Sequence, residues 1–298
     1  MKKKIITVCI LLLVLSLAFI LFLCFKNTKY KVLEIGGYEY NSSSNHRTEV
    51  EYDIGSYENK KLLGTQKTIE YNGKMYTGEY SKTIKTGAYN GEYDQYFLKP
   101  DNGVVIQFGI NCKTGMLVRY GISDKNYSLK NNAKELNRDE CLVIAQDYLL
   151  KYIDDASEYK FSEETYRDHS VYKGTYEFTF NRYIGNIKTD DRATVCVTVY
   201  GTVFTHTFYN IGQMNDAVVP TEKDMSIIEK NIDEKMNKIY YKSGDAYNFS
   251  YKTTDRVLRR MQDGKYALEY TIDVDITPTD SSSHPKCTEL VSLIVYLE

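Results

Sequence analysis

Two stretches of this 298-residue chain decide the fold: Gly174-Thr175-Tyr176-Glu177-Phe178-Thr179-Phe180 and Gly264-Lys265-Tyr266-Ala267-Leu268-Glu269-Tyr270. Aromatic or aliphatic residues recur at every second position of the first stretch, which is the pattern of a strand with one buried face. Tyr176, Phe178 and Phe180 are therefore predicted to point into the core, and Glu177, Thr179 and Asn181 are predicted to point outward. The two stretches are predicted to be equivalent strands of a duplicated module.

A helix is predicted before each stretch. Asn137-Arg138-Asp139-Glu140 and Thr221-Glu222-Lys223-Asp224 each place a capping residue three positions before an acid. Apolar residues then follow at spacings of three and four, which is the helical period. The first stripe consists of Leu142, Ala145, Leu149 and Tyr152, and the second consists of Met225, Ile228, Ile232, Met236 and Ile239.

Further matches follow in the same order. Tyr159–Ser162 parallels Tyr247–Ser250, and Val197–Tyr200 parallels Leu293–Tyr296. The offset grows from 84 residues at the caps to 96 at the last pair, as loop insertions between matching elements would give. This order predicts two copies of one helix-then-strands module.

The segment before the first helix predicts a meander of antiparallel strands. Asn72-Gly73 lies between two strand patterns and predicts a tight hairpin turn. Pro100–Gly103 predicts a second turn, and Lys113-Thr114-Gly115 predicts a third.

The N-terminus predicts a membrane anchor. Ile5–Phe25 is an uncharged run of 21 residues, about 31 Å as a helix and close to the thickness of a bilayer core. A lipoprotein ending at Cys24 is disfavoured because Leu23 is not small, and a cleaved signal is disfavoured because no Ala-x-Ala-like exit follows. The predicted localisation is a single-pass cell-membrane protein with a cytoplasmic N-terminus and an extracellular body.

Charge argues against nucleic acid as a partner. Residues 1–31 hold six lysines and no acid, and the remainder holds 32 basic and 40 acidic residues, a net charge of −8. Binding to nucleic acid usually needs a basic surface, so no nucleic-acid partner is expected.

Two motifs resemble a known family. Residues 137–149, from the cap through Asp147-Tyr148-Leu149, resemble the opening helix of PepSY-like and YcdB/YcdC-type repeats of bacterial envelope proteins. Val104–Ile110 with the following Lys113-Thr114-Gly115 is similar to their strand and Thr-Gly turn, although Tyr200-Gly201-Thr202 replaces that turn later in the chain. The resemblance covers about residues 90–298. It implies extracytoplasmic modules that modulate proteases or bind envelope partners, and it carries no catalytic residues.

The predicted fold class is α+β: an N-terminal transmembrane helix followed by antiparallel-sheet domains, with two helix-on-sheet modules repeated in tandem. The predicted segments are a cytoplasmic stub at 1–4, a transmembrane anchor at 5–25, a polar linker or stalk at 26–65, an antiparallel β region at 66–127, and PepSY-like modules at 128–216 and 217–298.

No sequence motif of a metal, cofactor or nucleophile site is present, so no catalytic, cofactor-binding or metal-ligating residue is predicted. The four histidines, His46, His169, His206 and His284, lack ligand spacing. His206 is predicted to be a partly buried structural imidazole between Phe204 and Phe208. Nothing local supports Cys141 as a nucleophile.

The remaining cysteines and acids are predicted to be structural. The spacing of the cysteines after the anchor favours buried free thiols over a disulfide framework, although their pairing stays open. These cysteines are Cys112, Cys141, Cys196 and Cys287. The doublets Asp154-Asp155, Glu163-Glu164 and Asp190-Asp191 are predicted to be solvated turns. In Glu269–Asp275 the carboxylates alternate along one strand face, and a solvent face is favoured over a calcium site there.

These observations predict a membrane-anchored extracytoplasmic binding or regulatory protein that is not an enzyme. Its expected partners are the membrane, through residues 5–25, and an envelope protein or peptide. Two alternatives stay open: a secreted-side hydrolase with an unrecognised site, and a passive structural component of the envelope.

Overall fold

The computed structural model describes residues 30–35, 57–58, 65–71, 73–86, 91–100, 103–127, 134–169, 172–212, 214–241, 247–261, 263–279 and 286–297. The strands are β1 (Val32–Glu34), β2 (Tyr57–Glu58), β3 (Gln66–Tyr71), β4 (Lys74–Thr86), β5 (Gly91–Leu98), β6 (Val104–Asn111), β7 (Leu117–Asp124), β8 (Tyr159–His169), β9 (Lys173–Ile184), β10 (Ile187–Thr198), β11 (Val203–Tyr209), β12 (Tyr247–Arg260), β13 (Tyr266–Pro278) and β14 (Cys287–Leu297). The helices are α1 (Arg138–Tyr152), α2 (Glu222–Tyr241) and a 3₁₀ turn at Ala156–Glu158.

The predicted α+β fold class is wrong, because the described residues are mostly strand and their strands belong to one mixed sheet. The prediction assigned a separate sheet to each local module. The strand partners instead cross the predicted boundary at 127/128, since β7 pairs with β11 through Arg119↔Thr207, Tyr120↔His206 and Gly121↔Thr205.

The chain divides into two compact units. Unit 1 comprises Met1–Glu51, Pro220–Arg256 and Lys265–Glu298, and unit 2 comprises Tyr52–Val219 and Val257–Gly264. Strand β12 therefore contributes to both units. The segment boundaries drawn from the sequence stay a prediction.

The sheet of unit 2 has the strand order β8-β9-β10-β11-β7-β6-β5-β4, with β2 and β3 paired to β4, and every pair in this series is antiparallel. The end of β12 pairs with β10 in parallel, through Lys188↔Val257 and Thr189↔Leu258, which makes the sheet mixed. Strand β10 thus has β9 on one side and both β11 and the end of β12 on the other.

Helix α1 packs against this sheet through its predicted apolar side. Of the predicted stripe, Ala145 and Leu149 are buried and Leu142 and Tyr152 are half-buried; Cys141 and Tyr148 are buried as well. They join one hydrophobic cluster with strand residues that include Phe178, Phe180, Val195 and Phe208. The predicted inward direction of Phe178 and Phe180 is therefore confirmed. The neighbouring Thr179 and Asn181 are buried as well, which contradicts their predicted solvent exposure.

Unit 1 contains α2 and the strands β1, β14 and β13, in that order of pairing, followed by β12. The predicted stripe of α2 is confirmed at Ile228, Ile232 and Met236, which are buried, whereas Met225 and Ile239 are half-buried. The helix contacts the segment before β1, because Asn231 Nδ2 donates to the Tyr30 carbonyl at 2.8 Å and Tyr30 Oη donates to Asp224 at 2.8 Å.

The three predicted hairpins are confirmed. Strands β3 and β4 pair up to Tyr71↔Lys74 around the first turn, and β5 pairs with β6 around the second. At the third turn Asn111 Oδ1 accepts from the backbone N–H of Lys113 at 2.9 Å and of Thr114 at 3.0 Å, and Gly115 supplies the positive φ of 71° that the turn needs.

Among the described residues, no helix has the length and hydrophobicity that a membrane crossing requires. The predicted stub and anchor, residues 1–25, lie outside the described residues. The described residues give no support to the predicted localisation as a single-pass membrane protein, which is withdrawn.

Candidate functional site

Strand β8 forms an edge of the unit 2 sheet. Among the described residues it pairs only with β9, antiparallel, from Tyr159↔Arg182 to His169↔Lys173. An edge strand directs alternate N–H and C=O groups to its outer side, where they have no partner in the ladder. The eleven residues of β8 therefore present an open hydrogen-bonding edge.

The side chains of β8 are exposed from Lys160 to Asp168, and pairing with β9 assigns them to two faces. On the face that carries the core aromatics lie Phe161, Glu164 and Tyr166, opposite Phe180, Phe178 and Tyr176 respectively. A register shift between Phe161 and Glu163 marks a β-bulge at Ser162. This bulge places Phe161 and Tyr166 on the same face although they are five residues apart.

Phe161 links this face to the core. Its ring centroid lies 6.3 Å from that of Phe178 and 6.2 Å from that of Phe180, both in edge-to-face geometry. Phe178 and Phe180 are fully buried, whereas Phe161 remains 36% exposed. One side of the Phe161 ring therefore packs against the core, and the other side is exposed to solvent and accessible to a partner.

Tyr166 is the most exposed aromatic residue of this face, at 54%. Its ring centroid lies 4.9 Å from that of Tyr176. The ring also covers Gly174, where an added Cβ would lie 2.9 Å from Tyr166 Cζ and 2.9 Å from Val199 Cγ1. The missing side chain at Gly174 makes room for the tyrosine ring.

Arg138, the first residue of α1, contacts two side chains of this face. Its Nε donates to Glu164 Oε2 at 2.6 Å, and its guanidinium lies 5.1 Å above the Phe161 ring. The helix start is fixed by the predicted capping box, in which Asn137 Oδ1 accepts from the Glu140 N–H at 3.0 Å and the Asn137 N–H donates to Glu140 Oε2 at 2.7 Å. The open edge of β8 together with Arg138, Phe161, Glu164 and Tyr166 is called the β8 edge site below.

An ion cluster around the buried side chains of Arg182 and Asp191 fixes the beginning of β8. Arg182, the cross-strand partner of Tyr159, donates to Glu158 Oε2 at 2.7 Å, to Asp191 Oδ2 at 3.0 Å and to Asn215 Oδ1 at 2.6 Å. Asp191 is fully buried, and this burial raises the pKa of its carboxyl group to about 7 although Arg182 opposes the shift. These bonds tie the turn before β8 to β9 and β10.

His206 is fully buried, whereas the sequence predicted a partly buried imidazole. It is 1% exposed, its Nδ1 lies 2.5 Å from Tyr148 Oη, and its Nε2 lies 3.3 Å from the Leu117 carbonyl oxygen. Burial lowers the pKa of the imidazole to about 3, so the ring is neutral at neutral pH. His169 is the last residue of β8, and His46 and His284 lie outside the described residues.

The buried thiols are protonated core groups. Cys141 Sγ lies 3.7 Å from the Thr198 carbonyl oxygen, and burial raises its pKa to about 11. Burial raises the pKa of Cys196 to about 12. A thiol with a raised pKa is a poor nucleophile. Cys112 and Cys287 are exposed, so the core-thiol prediction holds for two of the four.

Two of the three acidic doublets do not lie in turns. Asp154-Asp155 does form a turn, but Glu163-Glu164 lies within β8 and Asp190-Asp191 lies within β10. On β13, Ile272 and Val274 are buried as the alternation predicted, but Glu269 is buried as well, so the predicted solvent face is wrong at that residue. In the part of the chain that the structure describes, no group of three or more His, Cys, Asp or Glu residues is placed to hold a metal ion.

The sequence did not predict the β8 edge site. Simple alternation puts Phe161 and Tyr166 on opposite faces, because it does not anticipate the bulge at Ser162. The signal that was available is composition: Phe161 and Tyr166 are the only aromatic residues in the otherwise polar run from Lys160 to Asp168. Aromatic residues in such a run are typical of a binding edge.

The fold and the site define a β-rich protein with a helix-covered sheet and an open edge strand. Residues 68–210, which include all of the β8 edge site, match the family described as the YcdB, YcdC repeated domain. The resemblance to YcdB/YcdC-type repeats is therefore confirmed over that segment, which begins and ends earlier than the predicted 90–298.

No curated protein matches the chain. The solved structures that were found include the MucA/MucB complex of Pseudomonas aeruginosa, at 10% identity, and MucB in complex with MucA(peri), at 9% identity. Each match covers 76% of this chain and 85% of the other, with a TM-score of 0.10. Neither bears on the fold or function of this chain at that score.

Proposed function

We propose that this chain is a non-catalytic binding protein that takes up an extended segment of a protein or peptide partner at the β8 edge site. The partner would add a strand beside β8, a recurrent mode of peptide recognition. The observation that carries this proposal is the open edge of β8 with exposed aromatic side chains beside it.

The backbone of β8 supports the proposal because its hydrogen bonds would contribute affinity that does not depend on the sequence of the partner. An added strand would accept and donate the hydrogen bonds that the outer side of β8 leaves open. The ion cluster around Arg182 and the ladder to β9 hold this edge in place before a partner arrives. Such preorganisation lowers the entropy cost of binding.

The side chains beside β8 support the proposal because they would select among partner sequences. Tyr, Trp and Arg dominate the residues that contribute most to protein interfaces. Tyr166, Phe161 and Arg138 lie on one face beside the edge, each held by a neighbour and each exposed to solvent. A partner strand would place alternate side chains against them.

The proposal is tested with linear peptides selected on the purified full-length chain from a random library. In a selected peptide, methylating single backbone nitrogens should weaken binding at every second position, because only alternate amides face β8. Tyr166→Ala should raise Kd about tenfold, the scale of a hot-spot residue. Tyr209→Ala, which removes an exposed tyrosine from β11, is the matched control and should leave Kd unchanged.

Uniform tolerance of N-methylation would exclude strand addition. An equal loss in Tyr209→Ala would show that the effect is not local to β8. Failure to select any peptide, together with turnover of a peptide, glycan or ester substrate, would favour the hydrolase alternative.

A further inference from the structure

We propose that β8 also pairs with β8 of a second copy of this chain, antiparallel, about a twofold axis at Thr165. The dimer would cover the same open edge that the proposed function uses, so dimerisation and partner binding would exclude each other. The inference goes beyond the proposed function and rests on the charge pattern of β8.

The faces of β8 restrict the registers that such a pair can adopt. Pairing with β9 places Glu163, Thr165 and Arg167 on one face and Glu164 and Tyr166 on the other. Residues directly opposite each other in an antiparallel pair have side chains on the same face. In this part of β8, odd positions must therefore oppose odd positions, and the twofold axis must pass through a residue.

An axis at Thr165 gives a complementary set of pairs. Glu163 opposes the partner's Arg167, and Arg167 opposes the partner's Glu163, so two opposite-charge pairs form on one face. Thr165 opposes its own copy, and Glu164 opposes the partner's Tyr166, a pair without like-charge repulsion. Opposite charges and threonine pairs across strands are both favourable.

The neighbouring registers are repulsive. An axis at Glu163 or Glu164 puts two glutamates opposite each other, and an axis at Arg167 puts two arginines opposite each other. An axis at Tyr166 places Glu164 opposite the partner's Asp168 twice. Like charges directly opposite are destabilising, so the axis at Thr165 is the one register within 163–167 that charge favours.

The contacts within one chain leave the charges of Glu163 and Arg167 available for pairing with a second copy. Arg167 lies 3.8 Å from Glu177, but its side chain is 65% exposed, and such a pair contributes little to stability. Both charges lie on an edge that would otherwise be unprotected. A twofold pair of identical edges uses the same surface on both copies, which is the commonest symmetry of protein dimers.

The test is charge reversal with sedimentation velocity of the full chain over a wide concentration range. The wild type should dimerise. Glu163→Arg and Arg167→Glu should each raise the dimer Kd about tenfold or more, because each creates two like-charge pairs. The double variant should recover the wild-type Kd, since it restores both pairs with reversed signs.

Mixing the two single variants sharpens the test. Glu163→Arg mixed with Arg167→Glu should form a heterodimer, because both opposing pairs are then of opposite charge. Lys252→Glu, a reversal at an exposed position of β12, is the control and should dimerise like the wild type. Circular dichroism of each variant checks that it is folded.

A wild type that stays monomeric at all concentrations overturns the inference, as do single variants that dimerise normally or a double variant that does not recover. Each of these outcomes leaves the peptide-binding test intact, because that test reads the N-methylation pattern of a selected peptide and not the oligomeric state.

Discussion

Asp191 and His206 show how single buried groups link stability to pH. Asp191 is fully buried with Oδ2 bonded to Arg182, and burial raises the pKa of its carboxyl group from 3.8 to about 7. The folded state therefore holds this proton more tightly than the unfolded chain does. The resulting stability is complete below the unfolded pKa and is lost as pH rises through about 7.

The contribution of His206 to stability depends on pH in the opposite direction. Burial lowers the pKa of its imidazole from 6.5 to about 3, so the unfolded chain binds the proton and the folded protein does not. Its contribution is complete above the unfolded pKa and is lost as pH falls toward the folded one. Between about pH 4 and 6.5 the two groups therefore oppose each other.

This opposition predicts variants with contrasting pH profiles. Asp191→Asn leaves the histidine effect, so its free energy of unfolding should rise with pH in that window. His206→Gln leaves the aspartate effect, so its free energy of unfolding should fall with pH. Each slope is at most about 1.4 kcal/mol per pH unit. Urea denaturation across the window measures both, and slopes of the same sign would contradict the assignment.

Residue identity alone did not indicate where Asp191 lies. Two adjacent aspartates are typical of a solvated turn, and the guanidinium that compensates Asp191 comes from Arg182, nine positions earlier on the neighbouring strand. His206 was easier to assign, because its neighbours Phe204 and Phe208 already indicated a buried face.

Among the elements, the helices were predicted well because their signals are local. The caps, the apolar stripes and the first turn all lie within one continuous stretch, and the capping box of α1 formed as the sequence indicated. The hairpins of β3 to β7 were predicted for the same reason. Strand β8 was missed because a bulge and an exposed edge remove the alternation on which strand prediction depends.

The cap of α1 gives an element-scale prediction. Asn137→Ala removes the acceptor of the Glu140 N–H and should lower the free energy of unfolding by about 1 kcal/mol. Asn137→Asp keeps a side-chain acceptor at the same position and should stay close to the wild type. Urea midpoints with an unchanged m-value would measure the difference. Equal stability of both variants would show that the cap contributes nothing.

At the scale of the whole molecule, the sequence indicated repetition but not strand partners. The order α1-β8-β9-β10 recurs as α2-β12-β13-β14, and the matched tyrosines Tyr159 and Tyr247 both begin the first strand after a helix. The pairing of β7 with β11 joins residues far apart in the chain, and local patterns carry no information about such long-range partners. For this reason the sequence predicted a separate sheet for each module, whereas the strands of the structure belong to one mixed sheet.

The first strands after the two helices, β8 and β12, differ in the strands that lie beside them. Within unit 2, Val257 and Leu258 at the end of β12 pair with β10 and are buried. The outer side of β8 has no strand partner among the described residues.

Hydrogen exchange read by mass spectrometry can test this difference on the intact chain. In dilute solution the outward amides of β8 should exchange faster than those of β9 and of Val257–Leu258, because no ladder bond protects them. Raising the protein concentration should slow exchange in β8 of the wild type but not of Glu163→Arg, since only the wild type would pair through that edge. Protection of β8 equal to that of β9 in dilute solution would mean that another part of the chain already covers the edge, and the β8 edge site would then not be open to a partner.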